Sequence, residues 1–575
     1  MEVVAVSRAK PAFYNVHDIK LYTSIVRDPL TSPSDYIELD ESGILENKPA
    51  VHDGPVYVFF AEHYDYWCHE LGVDRSSWDW CHWGENLTLR FHDKVRLENN
   101  IHIGDIWRIG ETVRLQVCGA RVPCMKLSWR CGQKDTWLPT LATSGRVGVY
   151  LQVLAGGRVH PGDRVSYESF SGDAVDVASI TQLAFDNSLK TRDTINLLVN
   201  HKMLMRMNKW LLLRKATTMD DKLSEGLNAW KGFRNLRVCS IVDEGGDIRS
   251  FYLSTVDGRP LANYLPGQFL TIRLPNGTTR SWTISDWQAR DEPPCYRISI
   301  KKVGVASAWM HENCTLNTVL SARSPAGRFF LDRTSILRQI YLSAGIGITP
   351  ILAMMKAHDK HPNLQAQPIV WIHVARDGEN FPFQNEIPSF KNRPFTRVIF
   401  FTKPRPSDRE GVHYDRQGRP NMQTMRETIG APFTWKPLGS GEMESEGSFS
   451  MSYICGPPSF EAEMKESMKS LGFREPLIRS ESFSASGSAL SDVKQARVRF
   501  SKSNVSATWT KDKPVSLLEL AEAIGLTPDY GCRAGACGSC ATKLTCGSVS
   551  GGVQADGTVL TCSATPASEE VELEL

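Results

Sequence analysis

Residues 531–544, GCRAGACGSCATKL, and residues 559–564, VLTCSA, carry Cys532, Cys537, Cys540 and Cys562 in the order C-x4-C-x2-C followed by a fourth cysteine. This spacing suits a two-iron, two-sulfur cluster. Gly531, Gly535, Ala536, Gly538 and Ser539 lie between the cysteines, and residues this small let backbone N–H groups approach cluster sulfurs. A zinc site more often shows paired C-x2-C units, and buried free cysteines need no fixed spacing. A cluster of this kind moves one electron at a time, so the remaining chain should hold a source and a sink.

Working outward, 575 residues exceed one core and imply several domains at about 100–200 residues each. With 66 Lys+Arg against 64 Asp+Glu the net charge is +2, which leaves no electrostatic footprint for nucleic acid or an anionic membrane. Fourteen cysteines suit a reducing compartment, and the opening MEVVAVSRAKPAFY lacks the apolar core of a signal peptide. The apolar stretch at 195–213 is interrupted by His201, Lys202, Arg206 and Lys209, so no membrane span is expected and the chain reads as cytoplasmic. Helical spacing of Ile195, Leu198, Val199, Met203, Met207 and Leu211 predicts a helical segment within about 166–234. A Ser/Gly/Ala-rich linker is expected at 480–492, and a mobile surface insertion at 439–448.

Upstream of the tail, YLSAGIGITPILAMM at 341–355 reads as strand, glycine turn and helix. Gly345 and Gly347 allow close approach to a pyrophosphate, while Thr349 and Pro350 open a helix whose N-terminus favours negative charge. Cys455, Gly456 and Pro457 follow a second apolar strand. Together these segments resemble the nicotinamide-binding lobe of the ferredoxin reductase superfamily. The resemblance implies a flavin lobe before it, and Arg280, Ser281, Trp282 and Thr283 stand at the family's Arg-x-Tyr-Ser/Thr motif, with Gly304 and Ser307 at its glycine turn and helix. Arg280 would neutralise a flavin phosphate and Trp282 would flank the ring. The order of lobes resembles the phthalate dioxygenase reductase family, which implies transfer from NAD(P)H through FMN or FAD to the 2Fe-2S cluster of a plant-type ferredoxin domain. FMN versus FAD and NADH versus NADPH stay open; Arg376, following a strand, is a weak pointer to a 2'-phosphate.

The first part of the chain has no place in such a reductase. Residues 63–89 contain Gly84-Glu85-Asn86, and residues 104–127 contain Arg121-x-Pro-Cys124-x-Lys126-Leu. With Ile25, Arg27, His52 and Gly54, this set resembles the YiiM-like branch of the MOSC domain, which implies a molybdenum cofactor (molybdopterin) bound through the thiolate of Cys124, with Arg121 and Lys126 assisting. Asp53 replaces the first glycine of the family's His-Gly-Gly motif. The combined resemblance implies a multidomain α/β and β protein: a β-rich MOSC barrel over 1–165, a helical extension over 166–232, a flavin-binding β-barrel over 233–333, a nicotinamide-binding α/β lobe over 334–479, and a β-grasp ferredoxin domain over 493–575. It further implies two-electron reduction of N-hydroxylated compounds, with His52 and His82 as candidate proton sources. The rival expectations are a reductase serving a separate terminal oxygenase, with the MOSC domain as a docking module, or a MOSC domain acting as a sulfur carrier.

Overall fold

Strand Val113–Ala120 carries Val113, Leu115 and Val117 buried at alternate positions, with Arg114 and Gln116 half-buried between them. That period of two needs one covered face. The computed structural model places the strand in an eight-stranded sheet. It describes the chain except residues 10–11, 18, 46–53, 93–97, 171, 173–174, 186–191, 225–226, 276, 289–291, 336, 361–367, 392, 436–442, 484–491, 514, 527, 531–534, 536–537, 539 and 555. The chain divides into two compact units, Met1–Asp220 with Thr434–Glu444, and Asp221–Phe433 with Ser445–Leu575.

In the first unit the sheet order is Val165–Glu168, Ile106–Ile109, Val113–Ala120, Val149–Ala155, Val56–Phe60, Leu87–Arg90, Glu2–Ala9 and Arg27–Leu30. Val56–Phe60 and Leu87–Arg90 run parallel, joined through helix Ala61–Leu71. The run VYVFF is buried throughout, as a strand covered on both faces requires. Glu2 bridges Arg164, and Val165 N–H donates to Met1 O at 2.8 Å, so the sheet curls back on itself. Aromatic rings fill the interior: Phe59 stacks on Trp83 at 4.6 Å, and Trp67 meets Trp137 edge-on at 5.2 Å.

Three helices follow, Val177–Phe185, Arg192–Asn200 and Arg206–Ser224. The last is clamped to the sheet by buried Asn208, whose Nδ2 donates to Ala120 O at 3.0 Å and whose Oδ1 accepts from Ala120 N–H at 2.9 Å. Gly119 makes room for this clamp, since a Cβ there would lie 2.1 Å from Asn208 Oδ1. Asn208→Leu leaves both Ala120 groups buried without partners and should destabilise the unit by roughly 1–3 kcal/mol, read from urea unfolding of the full chain. An unchanged midpoint would contradict the clamp.

Among the described residues the second unit holds three larger sheets and a two-stranded one, Val549–Ser550 with Thr565–Pro566. An antiparallel six-stranded sheet runs Thr279–Thr283, Phe269–Arg273, Val319–Ala322, Arg234–Gly245, Ile248–Thr255 and Tyr296–Lys301, and the bridge Ile284 to Ile298 links its two ends. A parallel six-stranded sheet runs Arg416–Gln417, Phe395–Phe401, Ile369–Ala375, Arg338–Ala344, Ser450–Gly456 and Ile478–Ser482. Arg297 and Lys356 tie these two layers together: Arg297 donates to Glu386 at 2.7 Å, and Lys356 donates to Asp286 at 2.6 Å and Glu386 at 2.5 Å. The C-terminal sheet runs Val505–Thr510, Gln495–Phe500, Glu570–Leu573, Ala541–Cys546 and Thr558–Leu560, with helix Leu517–Ala523 packed on it.

Two boundary expectations change. Residues 480–482 complete strand Ile478–Ser482, paired in parallel with Ser452–Gly456 and with Glu481 buried; residues 484–491 lie outside the described residues. In the stretch 439–448, residues 439–442 lie outside the described residues, and Met443–Ser445 forms a short strand in a two-stranded sheet with Phe433–Trp435. Among the described residues no helix is long and apolar enough to cross a membrane.

Candidate functional site

Strand Val113–Ala120 ends at the Asn208 clamp, and the chain then turns through Arg121, Val122 and Pro123 to Cys124, which begins helix Met125–Arg130. Arg121 N–H donates to Gly148 O at 3.0 Å, holding the turn against the neighbouring strand. The Arg121 guanidinium lies 5.6 Å from the Tyr57 ring centre and donates to Cys124 Sγ at 3.4 Å. Cys124 as a residue is partly exposed. Burial alone would push its thiol up, but the Arg121 and Lys126 charges and the Arg121 hydrogen bond outweigh burial and hold it at about 7, against 9.0 for a free thiol. Burial lowers Lys126, which has no carboxylate partner among the described residues.

The surrounding residues form a buried polar knot. Gly148 sits at φ +87°, and a Cβ there would lie 2.5 Å from the Tyr57 ring and 2.6 Å from Val58 O. Buried Glu98 accepts from Val147 and Gly148 N–H, and burial pushes its carboxyl up to about 7. Gly84, at φ +80°, approaches Ile25; Glu85 accepts from Tyr64 and Thr88 hydroxyls at 2.7 and 2.8 Å; Asn86 accepts from Tyr57 N–H at 2.8 Å. These three motif residues thus hold strands together rather than reach outward. Arg27 behaves differently. Its Nε and Nη1 are shielded from solvent yet meet no acceptor among the described residues.

His82 is an unsuitable proton source in this arrangement. Its Nε2 lies 2.8 Å from Arg130 O, its Nδ1 lies 3.2 Å from Arg130 Nη2, and its ring stacks on Trp78 at 4.8 Å. Burial, more than the Arg130 charge, lowers it to about 4, so it stays neutral near pH 7. His52 and Asp53 lie outside the described residues.

In the parallel sheet the two glycine segments meet. Gly345 takes φ +52°, and a Cβ on Gly347 would lie 2.2 Å from Cys455 O. Thr349 is buried with its hydroxyl donating to Ile346 O at 2.9 Å. Cys455 is buried and its thiol is pushed up by burial; Gly456 packs on Ala344 and Phe460, and Pro457 opens helix Pro458–Ser470. This turn and the N-terminus of helix Ile348–Lys360 lie at the carboxyl ends of adjacent parallel strands, where open α/β sheets bind ligands. Arg376, at the end of strand Ile369–Ala375, is exposed and lies 3.8 Å from Asp377.

On strand Thr279–Thr283, Arg280 and Trp282 alternate to one face, opposite Ser281, whose hydroxyl meets Thr271 at 2.9 Å, and buried Thr283. Arg280 is exposed without a carboxylate partner among the described residues. Ser307 is already engaged: its hydroxyl accepts from Val303 and Gly304 N–H at 2.9 Å and donates to Gly304 O at 2.8 Å. The turn therefore offers a phosphate the first N–H groups of helix Val305–Asn313 rather than this hydroxyl. In the cysteine segment, Cys540 is buried, and Gly535, at φ +74°, donates its N–H to Cys562 Sγ at 3.2 Å. Thr561 donates N–H and hydroxyl to Cys540 O at 3.2 and 3.1 Å. Cys532 and Cys537 lie outside the described residues.

Residues 46–166 match the MOSC domain, residues 341–466 the oxidoreductase NAD-binding domain, and residues 502–567 the 2Fe-2S iron-sulfur cluster binding domain. The chain contains all three domains. The eight-stranded sheet extends upstream of the MOSC match, since its first strand starts at Glu2. The chain is 29% identical to a flavohemoprotein of Bacillus subtilis over 272 residues, covering 46% of this chain and 63% of the relative. A Deinococcus radiodurans flavohemoprotein is 30% identical over 237 residues, covering 40% and 54%. The chain thus spans about 54–63% of the length of these relatives. Among solved structures, phthalate dioxygenase reductase gives a TM-score of 0.39 at 21% identity, covering 60% of this chain and 98% of the other. YiiM from Geobacillus stearothermophilus gives 0.30 at 21% identity, covering 37% and 98%.

Proposed function

We propose that the chain is an NAD(P)H-dependent oxidoreductase in which a flavin and a 2Fe-2S cluster supply electrons to the MOSC domain, and that this domain reduces N-hydroxylated compounds such as hydroxylamines and amidoximes. The observation that carries the reading is the Cys124 thiol, held at about 7 between Arg121 and Lys126. The fit to an anionic, thiolate-ligated cofactor is good: a soft donor that ionises near neutral pH, two adjacent cations, and in Arg27 buried donor atoms without acceptors. When bound, a molybdenum cofactor supplies the two-electron redox change at the N–O bond, and the flavin splits a hydride's electron pair for the one-electron cluster. Cys124 would hold the metal as thiolate. Arg121 favours the ionised thiol, with its N–H held by Gly148 O and its guanidinium near the Tyr57 ring, while Lys126 and Arg27 would serve the anionic groups of the cofactor. In the second unit the Gly345–Gly347 turn receives the pyrophosphate, and Arg280 with Trp282 receives the flavin. The domain order proposed from the sequence accommodates this route.

The deciding experiment is the molybdenum-to-iron ratio of protein made in a host that synthesises the cofactor, with Cys124→Ala alongside. Molybdenum near stoichiometry that disappears in the variant, with NAD(P)H-driven reduction of an arylamidoxime, supports the proposal. Iron without molybdenum in both proteins sinks it, and leaves the chain as a reductase for a separate oxygenase or a thiol-based sulfur carrier.

The thiol itself gives a simpler test on metal-free protein. Its lowered value means that the thiolate contribution to stability is full above the free-thiol value of 9.0 and is lost as pH falls through about 7. Iodoacetamide labelling of Cys124, located by peptide mass spectrometry, should therefore rise with a midpoint near pH 7 and shift upward in Arg121→Gln. A midpoint near that of a free thiol in both would contradict the assigned electrostatics.

A further inference from the structure

Outside these sites, one juxtaposition in the second unit has no role yet. Strand Val319–Ala322 of the antiparallel sheet leads into Arg323, which lies 4.9 Å over the Tyr530 ring, and then to Arg328, which donates to Gln554 Oε1 at 2.8 Å. Tyr530 precedes Cys532 by two residues, and Gln554 lies in the turn before strand Thr558–Leu560 that leads to Cys562. The Arg328 side chain also covers Gly538, which takes φ +77°: a Cβ there would lie 2.7 Å from Nε and 2.8 Å from Nη2. Gly538 stands between Cys537 and Cys540, so any larger residue would displace the guanidinium. Among the described residues Arg328 forms no ion pair with a carboxylate; it does act at longer range on exposed Asp556, whose carboxyl is held below its ordinary value mainly by Thr558 hydrogen bonds and in smaller part by the Arg328 charge.

We propose that Arg323 and Arg328 hold Tyr530, Gly538 and Gln554 against the antiparallel sheet, and that the Arg328 charge beside Gly538 raises the reduction potential of the cluster, making Arg328 a positioning residue for electron entry. This rests on the reading that the four cysteines hold a 2Fe-2S cluster. The step it serves is a one-electron transfer, in which reduced flavin loses one electron and the cluster gains it, with no bond made or broken. The reduced cluster carries one more negative charge, and a neighbouring cation stabilises that state over the oxidised one. Arg328 is exposed, so solvent screens part of the effect.

The test is a redox titration of the full-length protein followed by the EPR signal of the reduced cluster, for wild type, Arg328→Gln and Arg328→Lys. Arg328→Gln should lower the potential, changing the reduced-to-oxidised ratio at fixed applied potential by up to about tenfold, or about 59 mV for one electron. Arg328→Lys should stay near wild type. Equal potentials in wild type and Arg328→Gln, with undiminished signals, overturn the proposal. If Arg328→Gln takes up no iron, Arg328→Met and Arg328→Lys replace it, and equal potentials in those two overturn it. Absence of the signal from iron-loaded wild type would instead overturn the cluster reading.

Discussion

Cys124→Ser should reduce NAD(P)H-driven turnover of an N-hydroxylated substrate by more than about 100-fold, because even loss of an outer partner of a metal ligand costs about 10- to 100-fold. Serine matches cysteine in shape but supplies neither a soft donor nor a group that ionises near pH 7. NAD(P)H-driven reduction of ferricyanide should continue at the wild-type rate, since none of the groups at the Gly345–Gly347 turn is altered. The paired readout separates the proposed sink from its supply. Equal loss of both activities, or retention of both, would count against Cys124 as the end of the route.

Gly347→Ala should produce the opposite pattern. The new Cβ would lie 2.2 Å from Cys455 O, 2.5 Å from Cys455 C and 2.8 Å from Gly456 N. All three are backbone atoms of a strand paired on both sides, so none can rotate away. Overpacking of this kind costs about 1–3 kcal/mol or more. The strain falls where the two glycine segments meet, so the expected result is a rise of about tenfold or more in the nicotinamide KM for ferricyanide reduction, about 1.4 kcal/mol per tenfold. Substrate reduction driven by dithionite and methyl viologen should persist. An unchanged nicotinamide KM would show that this turn is not the dinucleotide site.

Both tests concern residues that short motifs reveal. Gly347 and Cys455 are 108 positions apart, yet each announces itself by following an apolar strand and opening a helix, and in the fold their backbones touch. Cys124 is legible through the Arg121-x-Pro-Cys124-x-Lys126-Leu motif it shares with the MOSC family; as a bare residue type it would read as one more buried cysteine. Other features had no local signal. Asn208 looks like any polar residue in a helix, and its partner Ala120 is 88 positions away. Glu98 carries no motif, and its buried role depends on Gly148 across the sheet. Ser307 illustrates the converse: its motif is local and evident, but the hydroxyl serves the backbone turn that contains it. Composition also misled at 480–482, where a serine-rich stretch pairs as a strand with Ile454–Gly456. Periodicity and glycine spacing reveal what neighbours in the chain do together; pairings across the fold need coordinates.

The Asn208 clamp also bears on how such a protein can be assembled from parts. The turn that presents Cys124 begins at the residue that Asn208 grips, so the barrel and helix Arg206–Ser224 must travel together whenever genes are cut and rejoined. A recombination point placed just after the barrel would transmit the cysteine without the anchor that orients it. The heritable module is therefore longer than the sheet, and natural or engineered fusions that keep this site should have their junctions beyond the last of the three helices.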